Sequence, residues 1–189
     1  LTQNGITMNG QGRFGPAPVS FEWREHVGGD DGQAELVARA RATPDLLNAF
    51  GLAARNFMQG EADLELRASG PGGRNFDTVT ATVDLEHAQV ELAEFGWRKP
   101  FEAAAKGTFR YGKDSTGAIL AGDIRADGLE LIAEAQLDPA GMVTGVDIER
   151  LFSRGTVDVR GRVTRREDGG YRANLNGPFF DASPWMDTM

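Results

Sequence analysis

Apolar side chains recur at every second position along almost the whole chain. From Val79 to Glu86 the odd positions Val79, Ala81, Val83 and Leu85 are apolar, and the even positions Thr80, Thr82, Asp84 and Glu86 are polar. Successive side chains of an extended strand point to opposite faces, so this spacing predicts a strand with one face covered and the other in water. The same period runs through Val19, Phe21 and Trp23, through Leu36, Ala38 and Ala40, and through Ala62, Leu64, Leu66 and Ala68. It continues in Leu129, Leu131, Ala133, Ala135 and Leu137, in Val157, Val159 and Val163, and in Tyr171, Ala173 and Leu175. A chain patterned in this way is mainly β, and its function is expected to lie in what the shared apolar face covers.

Clusters of Gly, Pro, Asn and Asp separate the runs at Gly28 to Gly32, Gly70 to Asn75, Gly112 to Gly117, Asp138 to Gly141 and Glu167 to Gly170. Such clusters are hairpin connections, and the runs between them count to about ten strands. A large antiparallel meander is the expected topology, with residues 1–189 as one all-β segment. Two helix starts interrupt it. Thr43, Pro44 and Asp45 supply an N-cap, a first-turn proline and an acidic first turn, followed by Leu46, Leu47 and Phe50 before Gly51. Ser183, Pro184, Trp185 and Met186 repeat that opening near the C-terminus. After Leu85 the apolar positions change from odd to even, to Ala88, Val90 and Leu92. Keeping all of them on one face requires a bulge or bend near His87.

Composition excludes several functions. The 189 residues are 40% hydrophobic and 25% charged, as in a globular protein, and carry a net charge of −8. Nucleic-acid binding needs clustered Lys and Arg, and the pair Arg165 and Arg166 sits beside Glu167 and Asp168, as at a solvated hairpin tip. No apolar run approaches the roughly 18 residues that span a bilayer. The chain starts at Leu1 with no basic or apolar leader, which reads as a piece or a processed product. There is no cysteine, hence no disulfide, thiol nucleophile or thiolate metal site, which suits a periplasmic protein.

Catalytic patterns are weak. His26 and His87 are the only histidines and neither belongs to a ligand pair. Gly10, Gly12 and Gly15 match a dinucleotide fingerprint in spacing, but Pro16 and Pro18 stand where that fold needs a helix. The carboxylate pairs Asp30 and Asp31, and Asp63 and Glu65, alternate with apolar residues as the wet face of a sheet does. The expectation is a protein that is not an enzyme, with no cofactor and no metal.

A set of distinctive pieces begins with Thr82-Val83-Asp84-Leu85 through Ala88, Val90, Glu91 and Leu92 to Glu94-Phe95-Gly96-Trp97-Arg98-Lys99-Pro100. It continues in Gly122-Asp123-Ile124, Gly128-Leu129, Thr156-Val157 to Arg166, and Gly177-Pro178 to Asp181-Ala182-Ser183-Pro184. On these pieces the later half of the chain resembles the AsmA-like proteins, in the branch related to YhdP. Phe179-Phe180 and Phe57-Met58-Gln59-Gly60 depart from the family pattern. What the resemblance implies is a strongly twisted sheet curled into an apolar groove, in the periplasm, within a parent anchored in the inner membrane. Proteins of this family are thought to carry phospholipid towards the outer membrane and have no catalytic residues.

Lifting an acyl chain out of a bilayer loses about 0.8 kcal/mol per CH₂, so a tail of about sixteen carbons is held only if the protein returns on the order of 10 kcal/mol. About ten strands at a spacing of ~4.8 Å make a track roughly 45 Å wide, enough for that contact. Alanines at Ala38, Ala40, Ala62, Ala68, Ala81, Ala133 and Ala135 leave room for a guest, whereas Phe21, Trp23, Phe109 and Tyr111 would plug part of the track. The lipid-contacting face is expected to comprise Leu64, Leu66, Val79, Ala81, Val83, Leu85, Val90, Leu92, Leu129, Leu131, Ala133, Ala135, Val157 and Val159. Free strand edges also predict end-to-end pairing with neighbouring repeats of the parent. The alternatives are a closed β-sandwich-like structural or partner-binding module of the cell envelope, and a hydrolase with a hidden carboxylate cleft.

Overall fold

Each strictly alternating run forms a strand in the computed structural model, which describes residues 5–15, 17–26, 33–49, 54–71, 76–113, 117–181 and 183. The strands of the first part are β1 (Gly5–Phe14), β2 (Ala17–His26), β3 (Gln33–Ala42), β4 (Met58–Gly60), β5 (Ala62–Pro71), β6 (Thr78–Asp84), β7 (Ala88–Leu92) and β8 (Trp97–Lys99). Then follow β9 (Ala105–Lys113), β10 (Ala118–Ala126), β11 (Leu129–Leu137), β12 (Val143–Ser153), β13 (Val157–Arg165) and β14 (Tyr171–Phe180). Eleven of them form one antiparallel sheet in the order β1-β2-β3-β5-β6-β9-β10-β11-β12-β13-β14, and β4, β7 and β8 form a second, three-stranded sheet. The two edges β1 and β14 do not pair with each other, so the large sheet is open. The hairpin turns at 138–141 and 167–170 lie where expected. The cluster at Gly28 to Gly32, residues 72–75 and 114–116 of two further clusters, and the second helix start beyond Ser183 lie outside the described residues.

Register aligns the alternation of all eleven strands. One row runs Met8, Trp23, Leu36, Ala68, Val79, Tyr111, Leu120, Ala135, Val146, Val163, Ala173, each residue directly opposite the next. Residues two apart on a strand share a face, so Phe21, Ala38, Leu66, Ala81, Phe109, Gly122 and Ala133 form the next row on the same side. The opposite face carries Gln11, Ser20, Arg39, Glu65, Thr82, Thr108 and Asp123. On β12 the apolar phase changes between Ile148, opposite Gly161, and Leu151, opposite Val159. That bulge returns Leu151 to the apolar face.

The expected bulge or bend near His87 takes the form of a turn, but it does not keep the apolar residues on one face. His87 does lie in a turn, closed by the Ala88 amide donating to the Leu85 carbonyl at 2.9 Å. The turn carries the chain out of the large sheet and into β7 of the small one. Val90 and Leu92 therefore belong to a separate layer that packs onto one end of the apolar face.

That layer begins with helix α1 (Pro44–Ala49), which starts as its sequence predicts: the Leu46 amide donates to Thr43 Oγ1 at 3.2 Å, and Asp45 pairs with Arg55 at 2.8 Å. Leu46 is buried with Met58, Ala88, Val90 and Trp97 from the small sheet against Ala17, Ala42, Ala62 and Leu129 of the large one. Polar ties hold the layer in place. Trp97 Nε1 donates to the Asp127 carbonyl at 2.9 Å, and Ser153 Oγ to the Phe95 carbonyl at 2.8 Å. Lys99 is buried, and its ammonium donates to the carbonyls of Glu86, Ala88 and Pro100 at 3.3, 2.6 and 2.9 Å. Burial lowers the affinity of that ammonium for its proton, against the opposing charges of Glu102, Asp84 and Glu86. Gly96, with φ +57°, ends the 3₁₀ turn before β8, and a Cβ there would stand 2.9 Å from Thr156 Oγ1.

Candidate functional site

The cap covers only one end of the apolar face. Away from it, Leu36, Ala38, Leu66, Val79, Ala81, Leu131, Ala133 and Ala135 are half-buried, retaining contact with water although they lie in the interior of the sheet. The whole chain exposes 12559 Å², whereas a compact protein of 20.4 kDa exposes about 8,800 Å². The buried apolar set is small and rich in alanine: Ala17, Ala34, Ala42, Ala54, Ala62, Ala68, Ala88 and Ala105 belong to it. The described residues thus leave an apolar surface, in register over eleven strands, uncovered away from the cap.

The residues expected on this face fall into three groups. Leu66, Val79, Ala81, Leu131, Ala133 and Ala135 line its uncovered part, and Leu64 and Val83 lie at the margin of the cap. Leu129 and Val157 are on the same side but buried at the capped end, Val159 is buried next to them, and Leu85 packs against the cap's core. Val90 and Leu92 are in the cap itself and do not lie on the large sheet. Phe21, Trp23, Phe109 and Tyr111 stand on the uncovered part, on β2 and β9. The Trp23 ring meets that of Phe76 edge-on, with centroids 5.6 Å apart. Phe76 was not singled out by the period-two pattern, because it precedes β6.

The other face is a lattice of exposed ion pairs. Glu65 accepts from Arg39 and Arg67 at 2.7 Å each, Asp123 from Arg125 at 2.9 Å, and Asp147 from Arg162 at 2.7 Å. Hydrogen bonds from Arg67 and Arg39 hold the Glu65 carboxyl below its ordinary value, and Arg125 and Arg162 do the same for Asp123 and Asp147. A carboxylate whose pKa is depressed in the fold contributes stability that is present at neutral pH and lost as it is protonated. The thermal midpoint is therefore expected to fall as pH drops below 4.5, the ordinary value for Glu65, and through 3.8, that for the two aspartates. Replacing Arg39 and Arg67 together by glutamine is expected to flatten the Glu65 part of that fall, and an unchanged acid profile would contradict the assignment.

Shallow recesses on this charged face have volumes of ≈ 750 Å³, lined by Arg39, Arg41, Asp63, Glu65, Thr82 and Asp84 among others, and ≈ 860 Å³, lined by Arg110, Asp123, Glu134, Asp147, Arg160 and Arg162 among others. Asp63, one of the carboxylates noted in the sequence, lies 3.8 Å from the Arg41 guanidinium. His26 and His87 are exposed, and among the described residues no group of three or more His, Cys, Asp or Glu side chains is placed to hold a metal ion. Among the same residues no helix is long and apolar enough to cross a membrane. Compared with protein-family models, with curated proteins and with solved structures, the chain finds no match.

Proposed function

We propose that the uncovered apolar face holds the acyl chains of phospholipid and forms part of a track along which lipid passes between the inner and outer membranes, supporting outer-membrane lipid homeostasis. The observation that carries this reading is the continuous apolar surface, aligned across eleven strands and capped at one end only. A sheet of that width is about 48 Å across, long enough to return the cost of removing a tail from a bilayer. The right-handed twist of so many strands, with the bulges of β12 and β14, bends the sheet rather than leaving it flat. The resemblance of Gly96-Trp97-Arg98-Lys99-Pro100 and Asp181-Ala182-Ser183-Pro184 to AsmA-like proteins supports the same ligand, a periplasmic location and an inner-membrane-anchored parent. Exposure of all ten residues of edge strand β14 is compatible with pairing to a neighbouring repeat of that parent.

Leu131 and Glu130 are neighbours on opposite faces; Glu130 lies 3.7 Å from Arg125 and 3.6 Å from Arg150. Leu131→Asp is expected to abolish photo-crosslinking of a diacyl phospholipid carrying a photoreactive tail, whereas Glu130→Gln leaves it intact. Mass spectrometry of material co-purifying with the wild-type chain is expected to find phospholipid. Equal labelling of the two faces overturns the proposal.

A further inference from the structure

β14 ends the large sheet, and among the described residues only β13 pairs with it. The hydrogen bonds at both ends of that pair show which backbone groups it leaves over. At the hairpin turn the Arg166 amide donates to the Gly170 carbonyl at 2.7 Å, and at the far end the Asp181 amide donates to the Thr156 carbonyl at 2.8 Å. In an antiparallel ladder, opposed residues alternate between pairs that exchange hydrogen bonds and pairs that do not. Counted from either end, the bonded residues of β13 are Asp158, Arg160, Arg162 and Thr164. Their partners Asn176, Asn174 and Arg172 therefore turn their backbone groups inwards, and the N–H and C=O of Tyr171, Ala173 and Leu175 point to the open side.

Nothing in this run guards it. All ten residues of β14 are exposed and Arg172 is the one charge among them. Tyr171, Ala173 and Leu175 stand on the apolar face, in the rows of Val163 and Gly161. Edge strands that avoid pairing carry charges, prolines or bulges. β14 has such a device only in its second half, where Gly177 and Pro178 together stand opposite Val159 and Pro178 has no N–H to offer. The opposite edge, β1, includes Gly5, Gly10 and Gly12, which weaken a strand.

We infer that two copies of this chain pair through β14, antiparallel, about a two-fold axis that runs between their Ala173 residues and perpendicular to the sheet. Tyr171 of each copy then lies opposite Leu175 of the other, an aromatic beside an aliphatic side chain, and each opposed pair exchanges two backbone hydrogen bonds. The run is self-complementary, as an isologous dimer requires. An axis in that direction keeps both apolar faces on one side, so the surface continues from copy to copy. A contact along part of one strand is small, so the dimer is expected to form and dissociate with concentration. The pairing goes beyond the tail-binding reading and does not depend on it.

The test is the mass of the 189-residue chain by light scattering and sedimentation over a concentration series. The wild type is expected to pass from monomer to dimer. Ala173→Pro removes a donor that points away from β13, so the sheet keeps its far-ultraviolet β signature while the dimer is lost. The chain has no cysteine, so single cysteines report the contact cleanly. Opposed residues of a bonded pair have Cα atoms about 5.5 Å apart, within disulfide reach. Ala173→Cys is therefore expected to oxidise to a covalent dimer, and Asn9→Cys, in the middle of β1, to remain monomeric. A wild type that is monomeric at every concentration leaves the edge to a strand of other sequence and overturns the inference. So does a folded Ala173→Pro variant that still dimerises, or crosslinking of Asn9→Cys as fast as that of Ala173→Cys. Should Ala173→Pro fail to fold, the two cysteine variants decide. None of these outcomes alters the expected phospholipid crosslinking at Leu131, so the two readings fail separately.

Discussion

Trp97→Ala is expected to lower the unfolding free energy by about 3–5 kcal/mol, the range for removing a large aromatic side chain from a core that cannot collapse around the gap. Trp97 is 7% exposed and joins the cap to Leu129 of the large sheet. Its Nε1 also satisfies the carbonyl of Asp127, in the turn between β10 and β11. In a protein whose total stability is about 5–15 kcal/mol, and whose core consists largely of alanines, that loss is a large share. Trp97→Phe retains most of the apolar contact and gives up the hydrogen bond, so a smaller loss of about 1 kcal/mol is expected. Urea unfolding measures both. A Trp97→Ala variant as stable as the wild type would mean that the cap and the sheet do not share a core.

Lys99→Met is expected to cost about 3 kcal/mol, because three backbone carbonyls lose a charged donor at once and a buried acceptor left unpaired carries its full desolvation cost. Those carbonyls belong to Glu86, Ala88 and Pro100, so one ammonium joins β8 to the turn at which the chain leaves the large sheet. Methionine keeps the stem's volume and isolates the loss of the charge. Arginine is not expected to rescue, since a planar fork does not reproduce three donors converging from a compact ammonium. Hydrogen exchange should rise first at Ala88, whose amide closes the turn, while amides in the middle of β10 and β11 keep their protection. Unchanged exchange at the turn would show that Lys99 does not hold it.

Much of the large sheet was legible in sequence because period two is a local property. Residues such as Leu64, Ala81 and Leu131 need only their immediate neighbours to declare which face they occupy. The two phase changes look alike in sequence, yet between Ile148 and Leu151 the strand bulges and stays, whereas after Leu85 the chain leaves for a second sheet. Nothing local separates these outcomes, and this is why Val90 and Leu92 were expected on the face they in fact cap. β4 and β8 are three residues long, too short to show a period, so the roles of Met58, Trp97 and Lys99 emerge only from their contacts. Phe76 meets Trp23 through the pairings of β2, β3, β5 and β6.

Alternation and turn chemistry thus dictated that this chain forms antiparallel strands with one apolar and one charged side, since both depend on backbone geometry over a few residues. Which strands leave the sheet, and which end of the apolar side they cover, depend on contacts between residues tens of positions apart. Such contacts exist only after the strands have paired in register, and that register brings every apolar row to the same side of the sheet.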